Sequence, residues 1–161
     1  MITPDELASR ADEYLRRFGA TRQGDPWYGK DGHVWRTSRP SALKIHQRRE
    51  SYVAERDAYV RLRDCQIRNI AGLSVPDMLG HDDGLWAIEM TIVFPPFIVD
   101  VASAYLDFPP DWPEDEGHML IDMIRDRFDD QADEILAVYH ELGLRAGIYL
   151  SDFHRHNIKF R

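Results

Sequence analysis

A lysine set inside an apolar strand restricts this chain more than any other single residue. Ala42-Leu43-Lys44-Ile45-His46 reads as a strand, and Lys44 sits among apolar neighbours. If one face of that strand is buried, the lysine either snorkels to solvent or finds a partner charge. The next segment, Arg48 to Arg63, has helical periodicity that places Tyr52, Glu55, Tyr59 and Leu62 on one face. Glu55 is thus a carboxylate on an apolar-aromatic stripe, which is costly unless paired. Lys44 is its nearest candidate upstream. Either strand and helix meet through a Lys44–Glu55 pair, or Glu55 is one of the stray glutamates that helix faces carry.

The flanking segments supply more of the same architecture. Thr3, Pro4 and Glu6 form a helix start with a capping box. Leu7, Ala11, Tyr14, Leu15 and Phe18 then make one apolar stripe before Gly19. Trp27-Tyr28 and Val34 to Thr37 flank Gly29-Lys30-Asp31-Gly32, a hairpin pattern. Val75 to Gly80 and Leu85 to Met90 read as two more strands across the turn His81-Asp82-Asp83-Gly84. The His81-Asp82 pair could be half of a phosphohydrolase metal site, but in a turn it reads more simply as turn chemistry.

Thr91 to Pro113 is punctuated by proline, with a short helix expected between Ile98 and Leu106. A helical stretch follows from Glu114 to Leu144, with Leu120, Ile124, Phe128, Ile135, Tyr139 and Leu142 on its stripe. Asp129-Asp130 divides it. Gly143 and Gly147 let the chain turn into a closing strand-loop-strand. The expected organisation is α+β: an N-terminal helix (1–20), a sheet lobe with one helix (21–92), and a hinge with a mainly helical part (93–161).

The totals exclude several function classes. A chain of 161 residues with 43% hydrophobic and 30% charged residues can bury a core. The net charge of −8 argues against nucleic acid as main partner. Cys65 stands alone, which excludes an internal disulfide and a cysteine-built zinc site. Met90 to Val101 and similar apolar stretches are too interrupted for a membrane span. Asp5 and Glu6 stand where a secretory leader would be basic, so a cytoplasmic setting is expected. Charge is uneven, basic from Lys44 to Arg63 and acidic from Asp107 to Glu134. That is a pattern of solvated helix faces or of two complementary lobes.

The closing loop carries the chemistry. In Leu150-Ser151-Asp152-Phe153-His154-Arg155-His156-Asn157-Ile158 the spacing Asp-x-x-x-x-Asn is that of a kinase catalytic loop. A loop between two short strands can aim a carboxylate and an amide into one space, as phosphoryl transfer requires. The order of elements resembles the protein-kinase-like fold. The loop, with Asp152-Phe153-His154, is closest to aminoglycoside-phosphotransferase-type small-molecule kinases. The stretch from Arg48 to Leu62, followed by Val75-Pro76 and Leu79-Gly80, also resembles bacterial kinase-like families.

That resemblance implies ATP and Mg2+ as cofactors. Lys44 would hold the α- and β-phosphates and Glu55 would orient it. Ile88, Glu89 and the residues to Ile92 would border the adenine. Asp152 would orient the acceptor hydroxyl, and Asn157 would ligate magnesium.

The chain also departs from the pattern. The glycine-rich loop is reduced to Gly29-Lys30-Asp31-Gly32, and Leu150 stands where the family often has histidine. Only Ile158 to Arg161 follow Asn157, so no Asp-Phe-Gly segment is present. Loss of that aspartate, the family's main metal ligand, should cost more than the ~10²–10³ in rate typical of one preorganised group. The expectation is a minimal, truncated kinase-like protein, nucleotide-binding or regulatory, with weak or no phosphotransfer. A second copy or partner chain would cover the exposed helical underside. The alternatives are an active small-molecule phosphotransferase completed by a partner chain, and a non-nucleotide binding or structural module. In the last of these, His154 and His156 could hold a metal.

Overall fold

Thr3 caps the first helix as its sequence predicts. Its hydroxyl accepts from the Glu6 amide at 3.2 Å, and the Glu6 carboxylate accepts from the Thr3 amide at 2.7 Å. This helix, α1, spans Pro4–Arg16 in a computed structural model that describes residues 2–98, 101, 104–111, 116–151, 153, 155 and 158–160. Leu7, Ala11, Tyr14 and Leu15 are buried along one face. The helix ends before Phe18, which is 53% exposed and leaves the expected stripe to lie beside Tyr14 and under Arg39.

Three strands follow: β1 (Arg22–Tyr28), β2 (Gly32–Thr37) and β3 (Ser41–His46). Then come α2 (Arg49–Asp64), the two-residue strands β4 (Asn69–Ile70) and β5 (Leu73–Ser74), and the pair β6 (Met78–Asp82) and β7 (Ala87–Thr91). The main sheet has five strands in the order β1-β2-β3-β7-β6, all antiparallel. Its period-two alternation sorts the side chains of β3 cleanly. Leu43 and Ile45 pack with Trp35, Ala87 and the buried face of α1. Lys44 and His46 point to the other face, where α2 lies.

The expected helix between Ile98 and Leu106 is instead strand at Ile98 and from Ala104 to Leu106, with Val101 in neither helix nor strand. β8 (Phe97–Ile98) pairs parallel to β5, and β9 (Ala104–Leu106) pairs with a later strand. Short segments of this kind take the structure that an open sheet edge offers them, which local sequence does not disclose. The helical stretch is divided at the acidic pair as expected. α3 is Glu116–Phe128, a 3-10 turn covers Asp129–Gln131, and α4 is Ala132–Ala146. Gly147 ends α4 in the left-handed region (φ 61°), its amide bonding to Gly143 O. The chain then enters β10 (Ile148–Leu150), which pairs antiparallel to β9, and β11 (Ile158–Lys159), which pairs with β8.

One buried cluster runs from α2 and β7 through Ile98 to α3, α4 and Phe153. The two charge blocks meet at a single described pair: Arg61 at the end of α2 reaches Asp107 at 2.8 Å and the Ala146 carbonyl at 2.8 Å. Arg48 and Arg56 pair nearer by, with Asp31, Asp57 and Asp83. No helix among the described residues is long and apolar enough to cross a membrane.

The approach of β2 to β3 is close at Gly32, where an added Cβ would lie 2.2 Å from the Ile45 carbonyl oxygen. Gly32→Ala is expected to lose about 1–3 kcal/mol of stability by overpacking, read as a lowered urea midpoint. An unchanged midpoint would mean that the two strands can separate without penalty.

Candidate functional site

Between the β1–β2 ribbon and the end of β7 lies a cleft of about 600 Å³. Most of its wall is apolar: Val34 and Ala42 from the sheet, Met90 and Ile92 from β7 and beyond, with Pro76 and Phe97 opposite and Trp27 at the mouth. Lys44 and Glu55 close it. The lining follows from the strand period, since Ala42 and Lys44 are two apart on β3 and Val34 pairs with Lys44 across the ladder.

The ionic end is tightly made. Lys44 Nζ is 2.6 Å from Glu55 Oε2, and the ring nitrogen Nε2 of His46 is 2.6 Å from the same oxygen. Glu55 and His46 are fully buried and Lys44 nearly so. Glu55 Oε1 is buried with no hydrogen-bond partner among the described residues. His46 is itself fixed by Trp86, whose carbonyl accepts from the His46 amide at 3.0 Å and lies 3.2 Å from Nδ1.

Burial alone would push the Glu55 carboxyl up. The charge of Lys44 and the hydrogen bond and charge of His46 outweigh it and hold the group down to about 2. Tyr52, beside His46, donates to Asp83 at 2.6 Å, and Arg56 reaches the same oxygen at 2.8 Å. Burial first, then that carboxylate, raise the Tyr52 phenol.

The expected residues are therefore placed unevenly. Lys44 and Glu55 meet, and Ile92 lines the cleft. Ile88 shares the face of Lys44 but is fully buried in the core. The Glu89 side chain lies on the opposite face, against α1. There Ser41 donates to it at 2.6 Å, Tyr14 at 3.3 Å, and Arg39 lies 3.6 Å away. Burial and this carboxylate push the Tyr14 phenol up to about 12. Met90, one residue on, faces the cleft instead. Asp152 and Asn157, like His154 and His156, lie outside the described residues.

His46 was missed as a site residue, although its position two after Lys44 on the same strand put it on the same face. The pair His81-Asp82 is turn chemistry. Asp82 accepts from the Gly84 and Leu85 amides and pairs with Arg17. Among the described residues no group of three or more His, Cys, Asp or Glu is arranged to hold a metal. A second cleft of about 640 Å³ lies near the 3-10 turn, but its charged residues Asp130, Glu134, Arg155 and Lys159 are all exposed. Of these two clefts, the first is the one lined by a buried group with a shifted carboxyl, Glu55.

No protein-family model matches the chain, and no curated protein matches it. Among solved structures, it is similar to the ternary complex of streptomycin, ATP and APH(2″)-IIa. The match has 14% identity and a TM-score of 0.46, over 88% of this chain and 40% of that one. The chain thus spans less than half the length of that structure. At this level of likeness the residues of the cleft, not the comparison, carry the functional argument.

The Glu55 carboxyl lies below its ordinary value of 4.5 in the folded chain. Its contribution is therefore present above that pH and is lost as pH falls through about 2. A depression of this size corresponds to on the order of 3 kcal/mol. Glu55→Gln is expected to be less stable than the wild-type chain at neutral pH, with the gap closing across this acid range. Urea midpoints of the two proteins against pH check it, and a gap that stays constant would remove the ionised pair from the explanation.

Proposed function

We propose that this is a nucleotide-binding protein of kinase-like organisation, with ATP as its ligand and with weak or no phosphotransfer. The carrying observation is the Lys44–Glu55 pair, 2.6 Å apart at the closed end of a mostly apolar cleft whose lining also includes Arg36 and Thr91. An apolar slot suits a planar base, and a lysine at its closed end suits the phosphates that follow from it. Val34, Ala42 and Met90 would lie on the sheet side of the adenine and Pro76 and Phe97 on the other, with backbone groups near Ile92 at its edge.

A buried ion pair is weak as a purely structural device, because apolar residues of similar volume often serve stability as well or better. Its retention at a cleft is more simply explained by a ligand that needs the cation. In this reading Asp152 would orient an acceptor hydroxyl and Asn157 would help hold Mg2+.

The limit on transfer comes from the β1–β2 turn. The Gly29 amide donates to Gly32 O at 2.9 Å, so that amide is already engaged within the turn. Asp31 is tied to the start of α2 through Ser51 at 3.0 Å and Arg48 at 3.3 Å. A closed turn bearing a carboxylate is a poor cradle for phosphate oxygens, which elsewhere are held by several free backbone amides.

Thermal-shift titration with ATP and magnesium tests binding. Saturation at a hundredfold over Kd adds about 2.7 kcal/mol, a rise of several degrees in Tm for a chain of this size. Lys44→Ala is expected to abolish the ATP shift and to keep the shift given by adenosine, which carries no phosphate. No shift with ATP in the wild-type chain, or an undiminished one in Lys44→Ala, would overturn the reading. ATP turnover should be slow or absent; turnover on the order of 1 s⁻¹ or faster, as in ordinary kinases, that falls in Asp152→Asn would replace it with active phosphotransfer.

A further inference from the structure

Glu55 Oε2 receives two donors, and only one of them faces the cleft. Lys44 lines it, whereas His46 lies behind, fully buried. At 2.6 Å from an ionised carboxylate oxygen, His46 Nε2 is a protonated, donating nitrogen. The ring has no room to turn away. The Trp86 carbonyl holds its backbone amide and faces Nδ1, and the Tyr52 ring packs at 5.6 Å, edge to face. Tyr52 is fixed in turn by Asp83, with Arg56 and His81 beside it.

An ammonium has three N–H donors, so Lys44 can hold Glu55 and a phosphate together, but the phosphate's charge then competes with the carboxylate for it. If Lys44 were the sole donor, that sharing would leave a fully buried charge less well compensated. We propose that His46 is a positioning residue: it holds the Glu55 carboxylate, and with it α2, in place while Lys44 shares its ammonium with the phosphates of a bound nucleotide. This rests on the nucleotide reading for the role of Lys44, but the hold of His46 on Glu55 can be tested without any ligand.

The ligand-free test is a double-mutant cycle in Tm with Lys44→Met and His46→Leu. Each single change leaves Glu55 one of these two donors, and the double change leaves neither. The double variant is therefore expected to lose more than the sum of the singles, and Glu55→Gln in that background should recover part of the loss. Additive losses would overturn the hold.

The ligand test compares nucleotides by their phosphates. His46→Leu should weaken ATP by about tenfold, the equivalent of one charge-assisted hydrogen bond, and leave adenosine unchanged. His46→Gln carries an amide N–H at similar reach and should restore ATP affinity to within about threefold. A merely structural histidine would weaken ATP and adenosine alike, and that result would overturn the positioning role. A super-additive cycle with no ATP binding in the wild-type chain would overturn the nucleotide reading and leave the hold of His46 on Glu55 standing.

Discussion

A carboxylate with no access to water is the constraint around which the first half of this chain is arranged. Glu55 is fully buried, and an ionised carboxylate in that position persists only with donors close by. Those donors, Lys44 and His46, come from one strand at alternate positions, so the requirement fixes which face of β3 meets α2. It also fixes register. A slip of one residue in β3 would present Leu43 and Ile45 to the carboxylate and turn both donors toward α1. The apolar cleft beside the pair follows from the same alternation, since Ala42 shares the face of Lys44.

The other face of the sheet repeats the arrangement with neutral donors. Glu89, also buried, takes hydrogen bonds from Ser41 and Tyr14, and Ser41 lies 2.6 Å from Thr37 Oγ1. Each glutamate joins the sheet to a helix, Glu55 from within α2 and Glu89 through Tyr14 of α1. The second site offers hydroxyls and a half-exposed Arg39 rather than a lysine at a cleft. It reads as an anchor for α1, whereas the first has a cation on the lining of a cleft.

Much of this was legible in the residues. The capping box of Thr3 and Glu6, the strand at 42–46, the helix carrying Glu55 inward and the division at Asp129-Asp130 all come from short-range patterns with one physical reading. The Lys44–Glu55 pair was legible because two charges in apolar settings each needed what the other supplied. What was not legible depends on distant partners. Phe97-Ile98 and Ala104 to Leu106 are strands only because β5 and β10 lie alongside them. Asn69 to Ser74 forms a hairpin through Ala71 and Gly72, both at positive φ, and alanine is a poor signal for that conformation. Glu89 was assigned to the cleft by its place in the chain, yet strand parity puts its side chain on the other face. His46 went unassigned because a histidine at a strand end has many uses, and only the third partner, Trp86, shows how firmly it is held.

The clamp at the end of α2 has a mechanical consequence. Arg61 grips Asp107 and the Ala146 carbonyl, Glu55 is gripped midway, and Ser51 is tied to Asp31 at the beginning. A helix pinned at three levels along its length cannot pivot about one of them without breaking another. The compliant wall of the cleft is then the opposite one. β1 is mostly exposed, its register with β2 shifts between Gln23 and Trp27, and Gly24 sits there at φ 68°. Whatever enters the cleft meets a rigid floor and a ribbon able to bend over it.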